Sequence, residues 1–526
     1  MNTNSTNKKV IIEQDQRLSE SKIWHMQREY FDKEGIQAWV RQVPFYITSN
    51  PFIAYTYAKM MLVFMIDWTK NNPKAAGHPF YILELGTGSG RFSYYFVKTL
   101  CGLLQRLNRE DIKICYVMSD FTKNNIQYWE THPALKPYIE KGVIDFALYN
   151  MEEKEPIHLT KKDICLDEKT LVNPLTVFAN YIFDTITQDA FSVRDGKLNE
   201  LLLTLTADKT NMKDGEPINM EEIAVDFNSH EIKEGYYEDA VLNSILEEYK
   251  QKLHESSFLF PIGSFRAIQY LKKISKNKLL IISTDKGYNT LESLDYLNNP
   301  SILFHGSFSL MVNFHALAQY FKNTGGDAAL QQPRKGIKTA AFSSGFKLSD
   351  LPQMRLAIDE TIDGLSPGDY FILHTRISES FQDCSLPVLA AHMQLTHWDP
   401  HMYLKLTNHI ISKIEKEDAE TIQFLAHNMP KLAENYYYMP QTQCILFDIG
   451  IFFHAIKHYQ EAANYYEQSK PYIGEQFNLY YNLALCQHHL ENNTTALENF
   501  KKALEINKDA QEAQQWISYL ENQTDL

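Results

Sequence analysis

The stretch HPFYILELGTGSGRF, residues 78–92, changes character twice. His78 to Leu85 is a short apolar run of strand type, and Gly86, Gly88 and Gly90 then alternate through a tight turn. Arg91 to Leu107 follows, with Phe92, Tyr95, Phe96, Leu100, Leu103 and Leu104 on one helical face. Strand, glycine loop and helix in that order form a ligand cradle. Bare backbone can approach a bound group closely, and the helix N-terminus offers free N–H groups and a positive dipole end. A lone GxGxG can also be an ordinary tight turn, so the segments around it carry the weight.

Outward from the loop, further strand candidates lie at Lys113 to Ser119, Val143 to Leu148 and Leu175 to Ala179, with helical segments between the first of them. Strands alternating with helices imply a mostly parallel sheet covered on both faces. Lys197 to Leu205 and Lys278 to Ser283 read as later strands, and Tyr236 to Ser256 reads as a helix. Upstream, residues 1–20 are polar and poorly periodic and are expected to be a frayed lead-in, whereas the apolar run Ile53 to Trp68 predicts a buried helix. Strand signals fade from about Asp350, and helices dominate after Met402. The expected organisation is a helical lead-in over 1–75, an α/β domain over 76–400 and an all-α domain over 401–526.

Composition sets the outer bounds. At 526 residues the chain exceeds one hydrophobic core, and 44% hydrophobic with 22% charged residues is ordinary for a globular protein. A net charge of -14 favours neither a nucleic-acid backbone nor an anionic membrane. A cationic partner fits it better, and so does a plain solubility role. Cys101, Cys115, Cys165, Cys384, Cys444 and Cys486 form no CxxC pair, so no metal site is expected and a reducing compartment is the natural setting. The first residues lack an apolar leader, and Ala54 to Trp68 is too short to span a bilayer, so a cytoplasmic protein is expected.

The loop does not fit a dinucleotide fingerprint. GxGxxG would place a glycine where Arg91 stands, and an acid, Glu84, sits two positions before the first glycine. Asp120, closing the second strand, could accept hydrogen bonds from two ribose hydroxyls, or could cap the helix that begins near Lys123. Asn150, after the third strand, could read an adenine edge or simply turn the chain.

These residues resemble motif I of class I methyltransferases, whose loop lies under S-adenosylmethionine and whose acid contacts its methionine end. That resemblance implies a Rossmann-like sheet, with Glu84, Gly86, Gly88, Gly90, Asp120, Asn150 and Asn180 as cofactor-binding residues. More narrowly, the first 400 residues resemble the MidA-type family, whose mitochondrial members methylate an arginine of a respiratory complex I subunit. VPFYITSNP (43–51) resembles its early Thr-Ser element, and ELGTGSG its ELGPGRG loop. FANYIFDTITQDAF (178–191) resembles its NE-x-x-D-A-x-P strand, LLIISTDKGY its D-Y-G strand end, and SFSLMVNFHAL (307–317) its D-I-T-x-H-V-D-F segment. The chain departs at Tyr181, where the family has glutamate, and at Thr185 and Thr187; the aspartate and histidine of the late segment are also absent. Losing a planar carboxylate acceptor puts arginine specificity in doubt. Asp184, just past the fourth strand, is the candidate catalytic base, and a helix-capping role is equally open.

The last hundred residues repeat at a spacing of 34, the tetratricopeptide period. Leu483, Ala484, Ala496, Phe500 and Ala503 match Ile449, Gly450, Ala462, Tyr466 and Ser469 in size, and Gln511 to Leu520 reads as a closing helix. The resemblance implies a docking groove for a protein or peptide, against a packing role as a cap. Together these features point to a methyltransferase acting on a protein. The alternatives are a small-molecule methyltransferase and a cofactor-binding scaffold without turnover.

Overall fold

A computed structural model describes residues 9–38, 46–208, 219–305, 307–416 and 419–524. The chain divides into two compact units, residues 1–373 and 374–526.

The first unit opens with strand β1 (Lys9–Arg17), helix α1 (Ile23–Glu34) and helix α2 (Pro51–Asn71). Strand β2 (Phe80–Glu84), α3 (Arg91–Arg106), β3 (Ile114–Asp120), α4 (Lys123–Thr131), β4 (Ile144–Leu148) and β5 (Leu175–Phe178) follow. Next come β6 (Asp189–Arg194), β7 (Lys197–Asp208), β8 (Ile223–Glu231), α5 (Ala240–Lys252), β9 (Ser256–Phe260) and α6 (Ile262–Ile274). The unit continues through β10 (Leu279–Asp285), α7 (Phe314–Asn323), β11 (Asp327–Leu330) and β12 (Lys338–Ser344).

Seven strands make the main sheet in the order β4-β3-β2-β5-β10-β12-β11. The five from β4 to β10 are mutually parallel, and β12 and β11 each run antiparallel to their neighbour on that path. β2, β5, β10 and β12 are buried along their whole length, as interior strands covered on both faces must be; β2 and the first half of β10 read as apolar runs for that reason, whereas β12, KTAAFSS, carries no such signal. Between β2 and β5 the order reverses direction, which leaves a crevice at the carboxyl ends of the parallel strands. α2 is apolar almost all round and is buried accordingly; Asn50 caps it by accepting the Ile53 N–H at 3.0 Å.

A second, antiparallel sheet interrupts the main one between β5 and β10. β7 pairs with β8, β6 and β1, and β6 carries β9 at its far edge. The expected frayed lead-in is therefore corrected: Lys9–Arg17 is a strand, while residues 1–8 lie outside the described residues. Register shifts between Ile11 and Glu13 and between Glu13 and Gln16 break the period of two, so no alternation shows in the sequence.

The second unit is helical. Pro400–Lys413 and Ala419–Glu434 precede two helical hairpins, Ile445–Ala455 with Tyr459–Ile473 and Phe477–His489 with Asn493–Ile506; Gln511–Thr524 closes the array. All ten residues of the 34-residue pattern are buried, from Ile449 and Gly450 to Phe500 and Ala503. A Cβ on Gly450 would lie 2.6 Å from the Tyr466 ring, so this hairpin closes on a bare backbone. Among the described residues no helix is long and apolar enough to cross a membrane, and no group of metal-ligating side chains occurs.

Candidate functional site

The carboxyl ends of β2, β3, β4, β5 and β10 converge because these strands are parallel and in register: Glu84 pairs with Met118 and Phe178, and Asp120 with Leu148. The glycine loop leaves β2 with Gly86, Gly88 and Gly90 at φ of 57°, 59° and 77°, the left-handed region that favours glycine. It is laced to β3: the Thr87 N–H donates to the Ser119 carbonyl at 2.9 Å, and the Ser119 N–H donates to Thr87 Oγ1 at 3.1 Å. Gly86 packs so closely on Ile182 that an added Cβ would lie 2.2 Å from its Cδ1.

Glu84 is buried, and one of its oxygens, Oε2, gathers three donors: Thr87 Oγ1 at 3.1 Å, the Tyr116 hydroxyl at 2.9 Å, and Ser93 Oγ. These bonds favour the carboxylate, yet burial outweighs them and pushes the group up to about 7. Asp120 is likewise buried and raised by desolvation. It accepts the Gly88 N–H at 3.2 Å and Asn125 Nδ2 at 3.0 Å on one oxygen, and the Thr122 N–H at 3.0 Å on the other. Its turn role is thus present, and the helix cap position itself belongs to Thr122.

One cavity is lined by Glu84, Gly86, Asp120, Asn150, Asn180 and Asp184, so six of the eight residues singled out in the sequence meet there. Gly88 and Gly90 are not in its wall. The Gly88 carbonyl instead accepts Trp129 Nε1 at 3.0 Å, which makes this glycine part of the loop's scaffold. Asn150 lines the cavity but is engaged in its own turn, donating to Glu153 Oε1 at 2.9 Å and accepting the Glu152 N–H at 3.1 Å. Asn180 Oδ1 accepts the Tyr57 hydroxyl at 2.6 Å and the Thr284 N–H at 3.1 Å, whereas its buried Nδ2 has no partner among the described residues.

Asp184 is fully buried, its carboxyl shares hydrogen bonding with the Asp285 side chain, and no helix begins on it, so it caps none. Burial holds the group up to about 7, with Lys286 opposing. Its N–H donates to Asp285 at 3.2 Å, and Asp285, equally buried, is raised further by desolvation and by the Asp184 charge. Two buried carboxyls side by side share charge unfavourably, so one of them keeps its proton near neutrality.

No known family model matches the chain, and no curated protein does. Solved structures do. An uncharacterised protein from Burkholderia thailandensis aligns over 61% of this chain and 93% of its own, at 12% identity and a TM-score of 0.36. A second protein from that organism, bound to S-adenosyl-homocysteine and named as a methyl transferase candidate, aligns over 56% and 77%, at 12% identity and a TM-score of 0.36. MamA from Desulfovibrio magneticus RS-1 aligns over 30% and 87%, at 17% identity and a TM-score of 0.25.

Several lining residues were not legible as such. Thr122, Asn125 and Tyr149 line the cavity beside the ends of β3 and β4. Lys286 lines the β10 side, its Nζ 5.7 Å from the centre of the Tyr181 ring. The signal was present in STDKGY, because the end of a parallel strand at a sheet's turning point is where ligands bind. Of the early Thr-Ser element, Thr48 and Ser49 line the cavity, and residues 43–45 lie outside the described residues.

Proposed function

We propose that the chain is a class I methyltransferase of MidA type that transfers a methyl group from S-adenosylmethionine to a protein. The observation that carries this reading is the convergence of Glu84, Gly86, Asp120, Asn180 and Asp184, from the ends of three parallel strands, on one cavity at the sheet's turning point. The sheet supports it too. Numbering the main-sheet strands along the chain gives the order 3-2-1-4-5-7-6 with the seventh reversed, which departs from the dinucleotide order 3-2-1-4-5-6 and so counts against a nicotinamide cofactor.

The cavity wall fits the cofactor. Glu84 and Asn180 would meet the charged methionine end, Gly86 gives close backbone approach, and Asp120 would take ribose hydroxyls. Asn150 is a weaker candidate, since both ends of its amide are already used. The bound cofactor supplies an electrophilic methyl group on a sulfonium. Asp184 can receive a proton from an attacking nucleophile, because burial holds it near the middle of the physiological range.

The 34-residue pattern in the helical unit, buried at all ten positions, supports reading it as tetratricopeptide repeats that recruit the protein substrate. Catalysis then belongs to the first unit and docking to the second. The test is incubation of the purified protein with cell lysate and methyl-labelled cofactor. Label in a protein band supports the reading; label only in an organic extract points to a small acceptor, and binding without turnover points to a scaffold.

A further inference from the structure

We propose that Glu152 is a positioning residue: its carboxylate clasps helix α1 to the wall of the cavity, and this clasp opens when the cofactor exchanges. The gating role rests on the reading of the cavity as the S-adenosylmethionine site. One carboxylate oxygen, Oε2, receives the Arg28 guanidinium from α1. The other, Oε1, accepts the Thr187 N–H at 3.0 Å and the Thr187 hydroxyl at 2.6 Å. The Glu152 N–H in turn donates to Asn150 Oδ1 at 3.1 Å. One residue thus joins three segments far apart in sequence: α1, the loop after β4 and the loop after β5. Arg28, Asn150, Glu152 and Ile186 all line the cavity. The Glu152 side chain is only 12% exposed, so its charge-assisted bonds are largely shielded from water.

The packing of α1 explains why such a tie is needed. The first half of the helix is seated in the core: Ile23 and Trp24 are buried, the Trp24 ring lies 5.0 Å from that of Phe308, and Gln27 Nε2 donates to the Phe308 carbonyl at 2.6 Å. No residue of α1 beyond Gln27 is buried, yet Arg28 and Phe31 form part of the cavity wall. Side-chain contacts rather than burial hold this half, and the Arg28–Glu152 pair is the one that reaches the loop after β4.

Thr187 secures the other end of the clasp. It stands where the MidA-type pattern has proline, which carries no N–H, so both of its bonds to Glu152 belong to this chain. Its carbonyl accepts the Gly263 N–H at 2.8 Å, and a Cβ on Gly263 would lie 2.5 Å from Thr187 Oγ1, so the threonine is seated on bare backbone at the start of α6. The Arg28 side chain is 38% exposed, against 12% for Glu152, which makes the arginine the half that lets go.

The test is stopped-flow exchange of S-adenosylhomocysteine on the full-length protein. A clasp that closes the free and the loaded site alike slows entry and exit by the same factor. In Arg28→Gln both rate constants should rise about fivefold, equivalent to about 1 kcal/mol for a partly exposed ion pair, with an unchanged dissociation constant. Arg28→Lys should keep most of the wild-type behaviour, and Arg28→Gln should add nothing in a Glu152→Gln background. High salt should quicken exchange in the wild type but not in Arg28→Gln. Faster exit with unchanged entry would mean that Arg28 touches the ligand, and this outcome, like unchanged rates, overturns the clasp. Amide hydrogen exchange supplies a readout without ligand: the Thr187 amide should lose protection in Arg28→Gln although its own acceptor is left in place. Full protection there also overturns the clasp. Lost protection in a protein whose wild type binds no S-adenosylhomocysteine supports the clasp and counts against the methyltransferase reading.

Discussion

Asp120 accepts the backbone N–H of Gly88 at 3.2 Å, so the acid at the end of β3 and the glycine loop after β2 form one hydrogen-bonded unit. The residue expected to hold a ribose is also the residue that holds the loop. Asp120→Ala should therefore act twice. Cofactor affinity should fall about tenfold to a hundredfold, and the melting temperature should fall as well, because the Gly88 and Thr122 N–H groups and Asn125 lose a buried acceptor worth about 1–3 kcal/mol. Calorimetry and thermal unfolding on the same preparation separate the two effects. A loss of affinity with unchanged melting would mean that the loop does not lean on this carboxylate.

Gly86 and Gly88 should behave differently although both have a left-handed backbone. Gly86 lies in the cavity wall, and a Cβ there would meet Ile182 Cδ1 at 2.2 Å. Gly86→Ala should weaken cofactor binding through that clash and through backbone strain of about 1–2 kcal/mol. Adding Ile182→Ala should remove the clash and restore part of the affinity. Gly88 is outside the wall, so Gly88→Ala should cost chiefly the strain, read as a lower melting temperature with a smaller change in affinity. Equal losses of affinity for the two variants would contradict this division.

Glu84 sets a pH dependence. Burial raises it from 4.5 to about 7, so between these values the folded protein binds more protons than the unfolded chain. From this group, stability falls as pH rises from about 4.5 to 7 and is level above. A ligand whose cationic end meets the carboxylate prefers the ionised form. S-adenosylhomocysteine affinity should thus rise by up to about tenfold per pH unit below pH 7 and flatten above it, with proton release on binding near pH 6. Glu84→Gln should abolish the slope and, by removing the buried charge, raise the melting temperature of the free protein at pH 8. A slope of the opposite sign in calorimetry would place the cation elsewhere.

The parts of this site that were legible in the sequence are those encoded locally. The ELGTGSG loop and Asp120 can be read because a strand, a turn and a helix each carry their own pattern, and their order does the rest. What was hidden depends on contacts between distant segments. Tyr57 lies in an apolar helix run and gives no sign that its hydroxyl reaches Asn180, which is 123 positions away. Asn150 has the chemistry of a base reader, and only the placement of Glu152 and Glu153 shows that its amide is occupied. The second sheet was largely missed because β1 pairs with β7 across most of the unit, and its bulges erase the alternation that would have marked it.

The last prediction concerns the helical unit. Gly450 and Ala484 occupy the same place 34 residues apart, and Gly450 faces Tyr466, the counterpart of Phe500, across its hairpin. A Cβ on Gly450 would lie 2.6 Å from Cδ1 and Cε1 of the Tyr466 ring. Tyr466 is almost fully buried, so the ring has little room to turn aside. Gly450→Ala should force the two helices of the hairpin apart and destabilise this unit by about 1–3 kcal/mol, the usual cost of overpacking, despite alanine's better helix propensity. Tyr466→Phe should not relieve it, because the clashing ring atoms remain, whereas Tyr466→Leu should in part. If the repeats recruit the protein substrate, Gly450→Ala should slow methylation of the native partner while the dissociation constant for S-adenosylhomocysteine stays unchanged, since every residue assigned to the cofactor lies in the first unit. Raised concentration of a docked partner near the active site is what would be lost. Methylation at the full rate in a variant whose helical unit melts measurably earlier would show that the array is a structural cap.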